Sequence, residues 1–141
     1  MSARVFVDTN VLIYAHDVRA GRKQEKAARI LGGLWESRTG VLSTQVLQEF
    51  YVNVTRKIPS PLNRSTARDI IRQYSVWPVV QPDADMILRA SELEERHNLS
   101  FWDAMIVAAA RKAGAEKILT EDLSHGEIID GVAIENPFAE R

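Results

Sequence analysis

There is no cysteine among the 141 residues. Its absence removes disulfides, thiolate metal sites and a cysteine nucleophile, and it fits a reducing compartment such as the cytoplasm. No apolar run approaches the ~20 residues that cross a bilayer. Met1-Ser2-Ala3-Arg4 leads straight into the apolar segment Val5-Phe6-Val7, so neither a membrane span nor a signal peptide is expected. Histidine is scarce: His16, His97 and His125 show no close pairing, which argues against a histidine-rich zinc site. Neither GxxxxGK[ST] nor GxGxxG occurs, so no glycine-rich phosphate loop is expected. The net charge is only −1, so the chain as a whole carries no polycationic signature of nucleic-acid binding.

Hydrophobic residues make up 45% and charged residues 26%, the balance of an ordinary globular protein. A chain of this length buries roughly 68–70% of its unfolded surface, enough for a core without covalent staples. One domain over 1–141 is the simplest expectation. Residues 4–7 read as a short strand apolar on both faces, as in a buried parallel sheet. A helix is expected from about Val11, another over 22–38, weakened by Gly32-Gly33. A strand follows over 40–43, then a helix capped by Ser43 or Thr44 and running to about Lys57. Residues 58–63, with Pro59 and Pro61, form the clearest loop. Helices near 64–75, from Pro82 or Asp83 to Asn98, and over 100–113 complete the α set, the last one closed by Gly114. Strands are expected at 79–80, 117–120 and 132–134. This alternation predicts an α/β fold: helices around a mostly parallel sheet, with ligands taken outside the carboxyl ends of the strands.

Four acids stand out against that frame. Asp8 ends the first strand and opens Asp8-Thr9-Asn10; it is either a helix cap or a strand-end ligand. Asp103 lies in the first turn of a helix that is apolar all round, where the free N–H groups favour an anion; a capping box with Ser100 would satisfy the same physics. Glu49 lies off the apolar stripe of its helix, on a flank with Gln45, Asn53 and Arg56, and periodicity alone makes it a surface residue. Asp122 follows the strand at 117–120, with Glu121 as an immediate competitor for any role. Converging carboxylates need a cation, and an all-oxygen set suits magnesium or manganese. Two basic groups, Arg19, Arg22, Lys23, Lys26 and Arg29, and Arg56, Lys57, Arg64 and Arg68, read as solvated helix faces or as a phosphate-contacting rim. Trp35, Trp77 and Trp102 read as core or half-buried residues, Trp102 with a second option as a base-stacking ring.

Asp8-Thr9-Asn10, Gln48-Glu49-Phe50, Phe101-Trp102-Asp103-Ala104 and Thr120-Glu121-Asp122, in this order, give a chain that resembles a PIN-domain ribonuclease, most nearly the VapC-type toxins of toxin–antitoxin pairs. The resemblance runs from Val5 to Phe138. It implies a three-layer α/β/α sandwich and metal-dependent RNA hydrolysis that leaves a 5′-phosphate and a 3′-hydroxyl. It implies an acidic pocket of Asp8, Glu49, Asp103 and Asp122, with Asp8 and Asp103 as principal ligands of Mg²⁺ or Mn²⁺. Asn10 and Thr120 would hold those ligands in place. The same resemblance implies an RNA substrate, a cognate antitoxin covering the pocket, and a homodimer; it assigns no role to His125. On this reading Glu49 belongs to the pocket, against its periodicity. Two other readings remain open: a PIN-like module that binds RNA or a partner without catalysis, and a phosphatase with Asp8 as nucleophile. The second is disfavoured because Asn10 stands where another aspartate is expected.

Overall fold

The computed structural model describes residues 3–139; Met1, Ser2, Glu140 and Arg141, the ends of the expected 1–141 domain, lie outside the described residues. The order of elements is β1 (Arg4–Val7), α1 (Thr9–His16), α2 (Arg22–Ser37), β2 (Gly40–Ser43), α3 (Thr44–Arg56), α4 (Arg64–Tyr74), β3 (Val79–Val80), α5 (Ala84–His97), α6 (Phe101–Lys112), β4 (Ala115–Leu119), β5 (Ile128–Ile129) and β6 (Val132–Glu135). The strands form one sheet in the order β3-β2-β1-β4-β6-β5, parallel throughout except for the β5–β6 pair. Helices α1 to α4 pack among themselves, α5 and α6 against each other, giving the three-layer α/β/α sandwich.

Sheet order decides where a ligand can enter. The chain runs outward from β1 through β2 to β3, then returns to place β4 on the other side of β1. The strand order therefore reverses between β1 and β4. Connections leaving those two strands diverge, and a crevice opens at their carboxyl ends. Asp8 is the first residue past β1, and Thr120 to Asp122 are the first past β4. The two ends are tied together, because the Asp8 N–H donates to the Leu119 carbonyl at 3.0 Å.

Local signals account for most of the elements. Phe6, Val7, Val41, Leu42, Ile118 and Leu119 are buried, as a sheet covered on both faces requires. Side-chain caps start five helices: Asp8 to Thr9 N, Ser43 to Val46 N, Asn63 to Thr66 N, Asp83 to Met86 N and Ser100 to Asp103 N. Asn98 ends α5 in the left-handed conformation at φ 55°, and Gly114 follows α6 at φ 70°.

Several expectations change. Helix α1 begins at Thr9 rather than near Val11, and Asp8 itself caps it. Gly32-Gly33 do not interrupt α2: both face open space, and the helix is held by the buried stripe Ala27, Leu31 and Leu34. Strand β4 starts two residues early and stops at Leu119, which leaves Thr120 free to turn its hydroxyl into the crevice. Strand β5 was not anticipated; its two residues pair only because the Asp130-Gly131 turn, with φ of 52° and 79°, folds them back on β6. Trp102, in the first turn of α6, is not core but 63% exposed. Among the described residues, no helix is long and apolar enough to cross a membrane.

Gly40 carries a close approach that admits no side chain. A Cβ there would stand 2.5–2.7 Å from the six-membered ring of Trp77, itself buried against Trp35 and Tyr74. Gly40→Ala is therefore expected to destabilise by about 1–3 kcal/mol through overpacking. The check is the denaturant midpoint; an unchanged midpoint would show that the indole moves aside at no cost.

Candidate active site

The crevice is built around Asp8. Its side chain is only 4% exposed, and every partner it has is neutral. Oδ1 accepts from the Thr9 N–H at 2.7 Å; Oδ2 accepts from the Thr120 hydroxyl at 2.8 Å and from Asn10 Nδ2 at 3.5 Å. Burial pushes the pKa of Asp8 up from 3.8 to about 7, against the pull of the Thr120 and Thr9 hydrogen bonds, and the neighbouring Asp122 and Glu49 charges push it further.

Asn10 bridges the two strand ends. Its Nδ2 donates to Asp122 Oδ2 at 3.0 Å and to the Thr120 hydroxyl at 3.4 Å, while its Oδ1 accepts from the Glu121 N–H at 3.1 Å. The Asp122 N–H closes the ring by donating to Thr120 Oγ1 at 3.0 Å. Glu49 enters from α3. It is half-buried rather than on the free surface that its periodicity predicts, because α1 packs on that flank and Thr9 Oγ1 donates to Glu49 Oε1 at 3.0 Å. Asp103 stands in the first turn of α6, where partial burial raises its pKa, the Ser100 hydroxyl opposes the rise and the Asp122 charge adds to it. The start of α6 is tied to α3 by Gln45 Nε2, which donates to the Trp102 carbonyl at 3.2 Å and to Glu49 Oε1 at 3.5 Å.

Glu121 takes the opposite direction from Asp122. Its carboxylate accepts from Tyr14 Oη and from Lys23 Nζ, each at 2.6 Å. Partial burial raises its pKa, but Lys23 and Tyr14 outweigh that and hold it below the ordinary value. Lys23 also lies over the rings of Tyr14 and Phe138, 4.8 and 5.6 Å from their centroids. The latch of Lys23, Glu121, Tyr14 and Phe138 anchors the loop that carries Asp122, and sequence reasoning missed it. Thr9 and Gln45 were missed too; nothing in their spacing marks them.

Asp69, Asp83, Glu92, Glu121, Asp130 and Glu135 each meet a lysine or arginine. Among the described residues no ion pair involves Asp8, Glu49, Asp103 or Asp122. Nor do any three Asp, Glu or His side chains gather tightly enough to enclose an ion by themselves. The hydrogen-bond partners of Asp8, Glu49 and Asp122 are neutral. The donor set is nevertheless all oxygen, the pocket lacks a counter-charge, and magnesium needs only one or two direct carboxylates. The residues present therefore fit a hard divalent cation. The basic residues Arg19, Arg22, Lys26 and Arg29 are exposed along the start of α2, while Lys23 is spent on Glu121.

Thr120→Val isolates the neutral support. It keeps the shape but removes the donor to Asp8 and the acceptor of the Asp122 N–H. The expected loss is about 1–3 kcal/mol of stability, the cost of stranding a buried polar partner. Urea titration checks it, with no change as the adverse result.

A family model described as PIN domain matches residues 5–128. Among solved structures, the chain is similar to VapC20 of Mycobacterium tuberculosis, described as a sarcin–ricin loop cleaving toxin: 28% identity over 84% of this chain and 91% of that one, TM-score 0.65. It is also similar in fold to a toxin–antitoxin complex from Klebsiella pneumoniae, at 21% identity over 95% and 98%, TM-score 0.68. A DNA-bound VapBC from Salmonella typhimurium gives 18% identity over 96% and 99%, TM-score 0.64. No curated protein matches significantly.

Proposed function

Because this chain belongs to the PIN domain family, we propose that it is a divalent-metal-dependent endoribonuclease, the toxin of a toxin–antitoxin pair. The observation that carries this reading is Asp8: a carboxylate sealed at the strand-order reversal, with no cationic partner and two acidic neighbours that raise its pKa. A protein does not keep such a group uncompensated without a use for its charge.

Asp8 and Asp103 would hold Mg²⁺ or Mn²⁺, with Glu49 and Asp122 completing the pocket. When bound, such a cation supplies Lewis acidity toward the phosphodiester and a nucleophilic water near neutral pH. The chain's own residues do the rest. Thr9 and Thr120 orient Asp8, so that its position is set before any ligand arrives. Asn10 ties Asp122 to the β1 edge, and Thr9 holds Glu49 where it can orient the attacking water. Asp122, the exposed member, meets the substrate side of the cleft. Water attacks phosphorus in line, the P–O3′ bond breaks, and the products are a 5′-phosphate and a 3′-hydroxyl.

The relatives support an RNA substrate, as for the sarcin–ricin loop cleaving toxin, and an antitoxin partner; a homodimer and a cytoplasmic site of action are proposed on the sequence resemblance alone. The test is to incubate purified protein with structured RNAs, with Mg²⁺ and then with a chelator. Cleavage that vanishes on chelation and returns with the ion is expected. Persistent inactivity together with RNA binding would favour the non-catalytic module, in which Asp8 and Ser100 serve only as helix caps.

A further inference from the structure

Trp102 directly precedes Asp103 in the first turn of α6, and its side chain is turned to water. It is 63% exposed, and the other large apolar side chains at that level of exposure are aliphatic. Trp35, the next most exposed aromatic ring, packs on Trp77 and Tyr74. Trp102 has one aromatic contact, an edge-to-face meeting with Phe101 at 5.2 Å. Its backbone is held more firmly than its ring, because its carbonyl accepts from Gln45 Nε2 and it occupies the first turn of the buried helix α6. The same Gln45 amide reaches Glu49, and the next residue is Asp103, which senses Asp122. The indole is thus an exposed π surface whose backbone is fixed next to Asp103 and is linked through Gln45 to Glu49.

We propose that Trp102 is the substrate-positioning ring of this site, stacking on an unpaired RNA base next to the scissile phosphate. The inference rests on the ribonuclease reading and deepens it by naming the side chain that would receive an unpaired base. Charge selects the contact. Four carboxylates without cationic partners repel backbone phosphates, so a basic rim alone would hold RNA away from the metal-binding edge. A base offers a neutral face, and aromatic rings bind it with little regard to sequence. Duplex RNA keeps its bases stacked and shields them, so the ring prefers loops, bulges and strand ends.

Binding is tested on the wild-type protein in EDTA, where cleavage cannot intervene, with a labelled single-stranded oligoribonucleotide, the same strand annealed as a duplex, and the same strand carrying abasic sites. Trp102→Ala is expected to weaken single-strand binding about 5- to 100-fold, and Trp102→Phe much less. Single-stranded RNA is expected to quench tryptophan emission in wild type but not in Trp102→Phe, with the duplex and the abasic strand having little effect. Equal affinity of wild type and Trp102→Ala would overturn the proposal. So would an equal loss on the abasic strand, which signals phosphate contact. A change of oligomeric state with unchanged RNA affinity would assign the ring to a protein interface instead, also overturning it. The two proposals fail separately. If Mg²⁺ supports cleavage but Trp102→Ala leaves RNA affinity unaltered, only the stacking role falls. If Trp102-dependent RNA binding is found in a protein that never cleaves, only the ribonuclease reading falls.

Discussion

Asp8→Asn is expected to lower metal-dependent RNA cleavage by on the order of 10²–10³-fold or more, and to leave the metal-free protein no less stable than wild type. The loss follows from removing the buried charge that holds the cation and orients what it activates; single groups of this kind commonly contribute at that scale. The gain follows from the same burial. Asparagine keeps an oxygen for the Thr9 N–H. What disappears is a desolvated charge flanked by Asp122 and Glu49. Loss of cleavage without loss of stability separates a metal ligand from a helix cap, since asparagine caps about as well as aspartate and a cap alone would leave both unchanged. Asp103→Asn is expected to match the loss of cleavage. Glu121→Gln is the contrasting variant: its carboxylate is neutralised by Lys23 and turned away from the crevice, so less than a tenfold change is expected. Single-turnover cleavage and thermal melts of the same preparations read both effects. Cleavage by Asp8→Asn and Asp103→Asn at wild-type rates would end the assignment.

The second large effect is a dependence of stability on pH that the cation reverses. The pKa of Asp8 lies at 3.8 in its ordinary state and about 7 in the fold. Between those values the folded protein keeps a proton that the unfolded chain has released, so the stability from this group falls as pH rises. Its contribution is fully present below about pH 4 and lost as pH passes about 7. The span converts to at most about 4 kcal/mol at 1.36 kcal/mol per pH unit. Asp103, also raised, contributes with the same sign. Asp83, Asp130 and Glu121 are lowered by basic partners and contribute with the opposite sign, gaining stability as they ionise. The diagnostic quantity is therefore the difference between wild type and Asp8→Asn, expected to widen in favour of the variant from pH 5 to pH 8. Mn²⁺ acts against this trend, because it binds only the ionised pocket. At a hundredfold excess over its dissociation constant it adds about 2.7 kcal/mol, a rise in Tm of about 5–10 °C for a chain of this size. The rise is expected to be larger at pH 8 than at pH 5.5 and to vanish in Asp8→Asn. A Tm shift of equal size at both pH values, or one kept by the variant, would place the ion elsewhere.

Much of this architecture is visible in the chain because local interactions set it. Val5-Phe6-Val7 is apolar on both faces, and only a sheet covered on both sides can take such a strand. Ser43, Asn63, Asp83 and Ser100 cap the helices they precede through bonds spanning three residues. An acid directly after each of two buried strands already points to a site at strand ends. These readings need nothing beyond neighbours within a turn or the alternation of a strand.

The parts that needed tertiary structure all depend on partners far away in sequence. Periodicity puts Glu49 on a surface flank; α1 lies against that flank, and Thr9, forty residues away, supplies the hydrogen bond that draws the side chain inward. Glu121 and Asp122 are adjacent and chemically alike, so spacing cannot divide their roles. Lys23, 98 residues away, turns one outward, and Asn10, 112 residues from Asp122, turns the other toward Asp8. Trp102 looks like a core residue by composition, yet in the fold it lies in water. Helix caps and strand patterns are short-range energies that any stretch of chain carries with it. Which carboxylate finds a cation, and which remains alone in a closed crevice, is a long-range electrostatic outcome that exists only once β1 and β4 lie side by side.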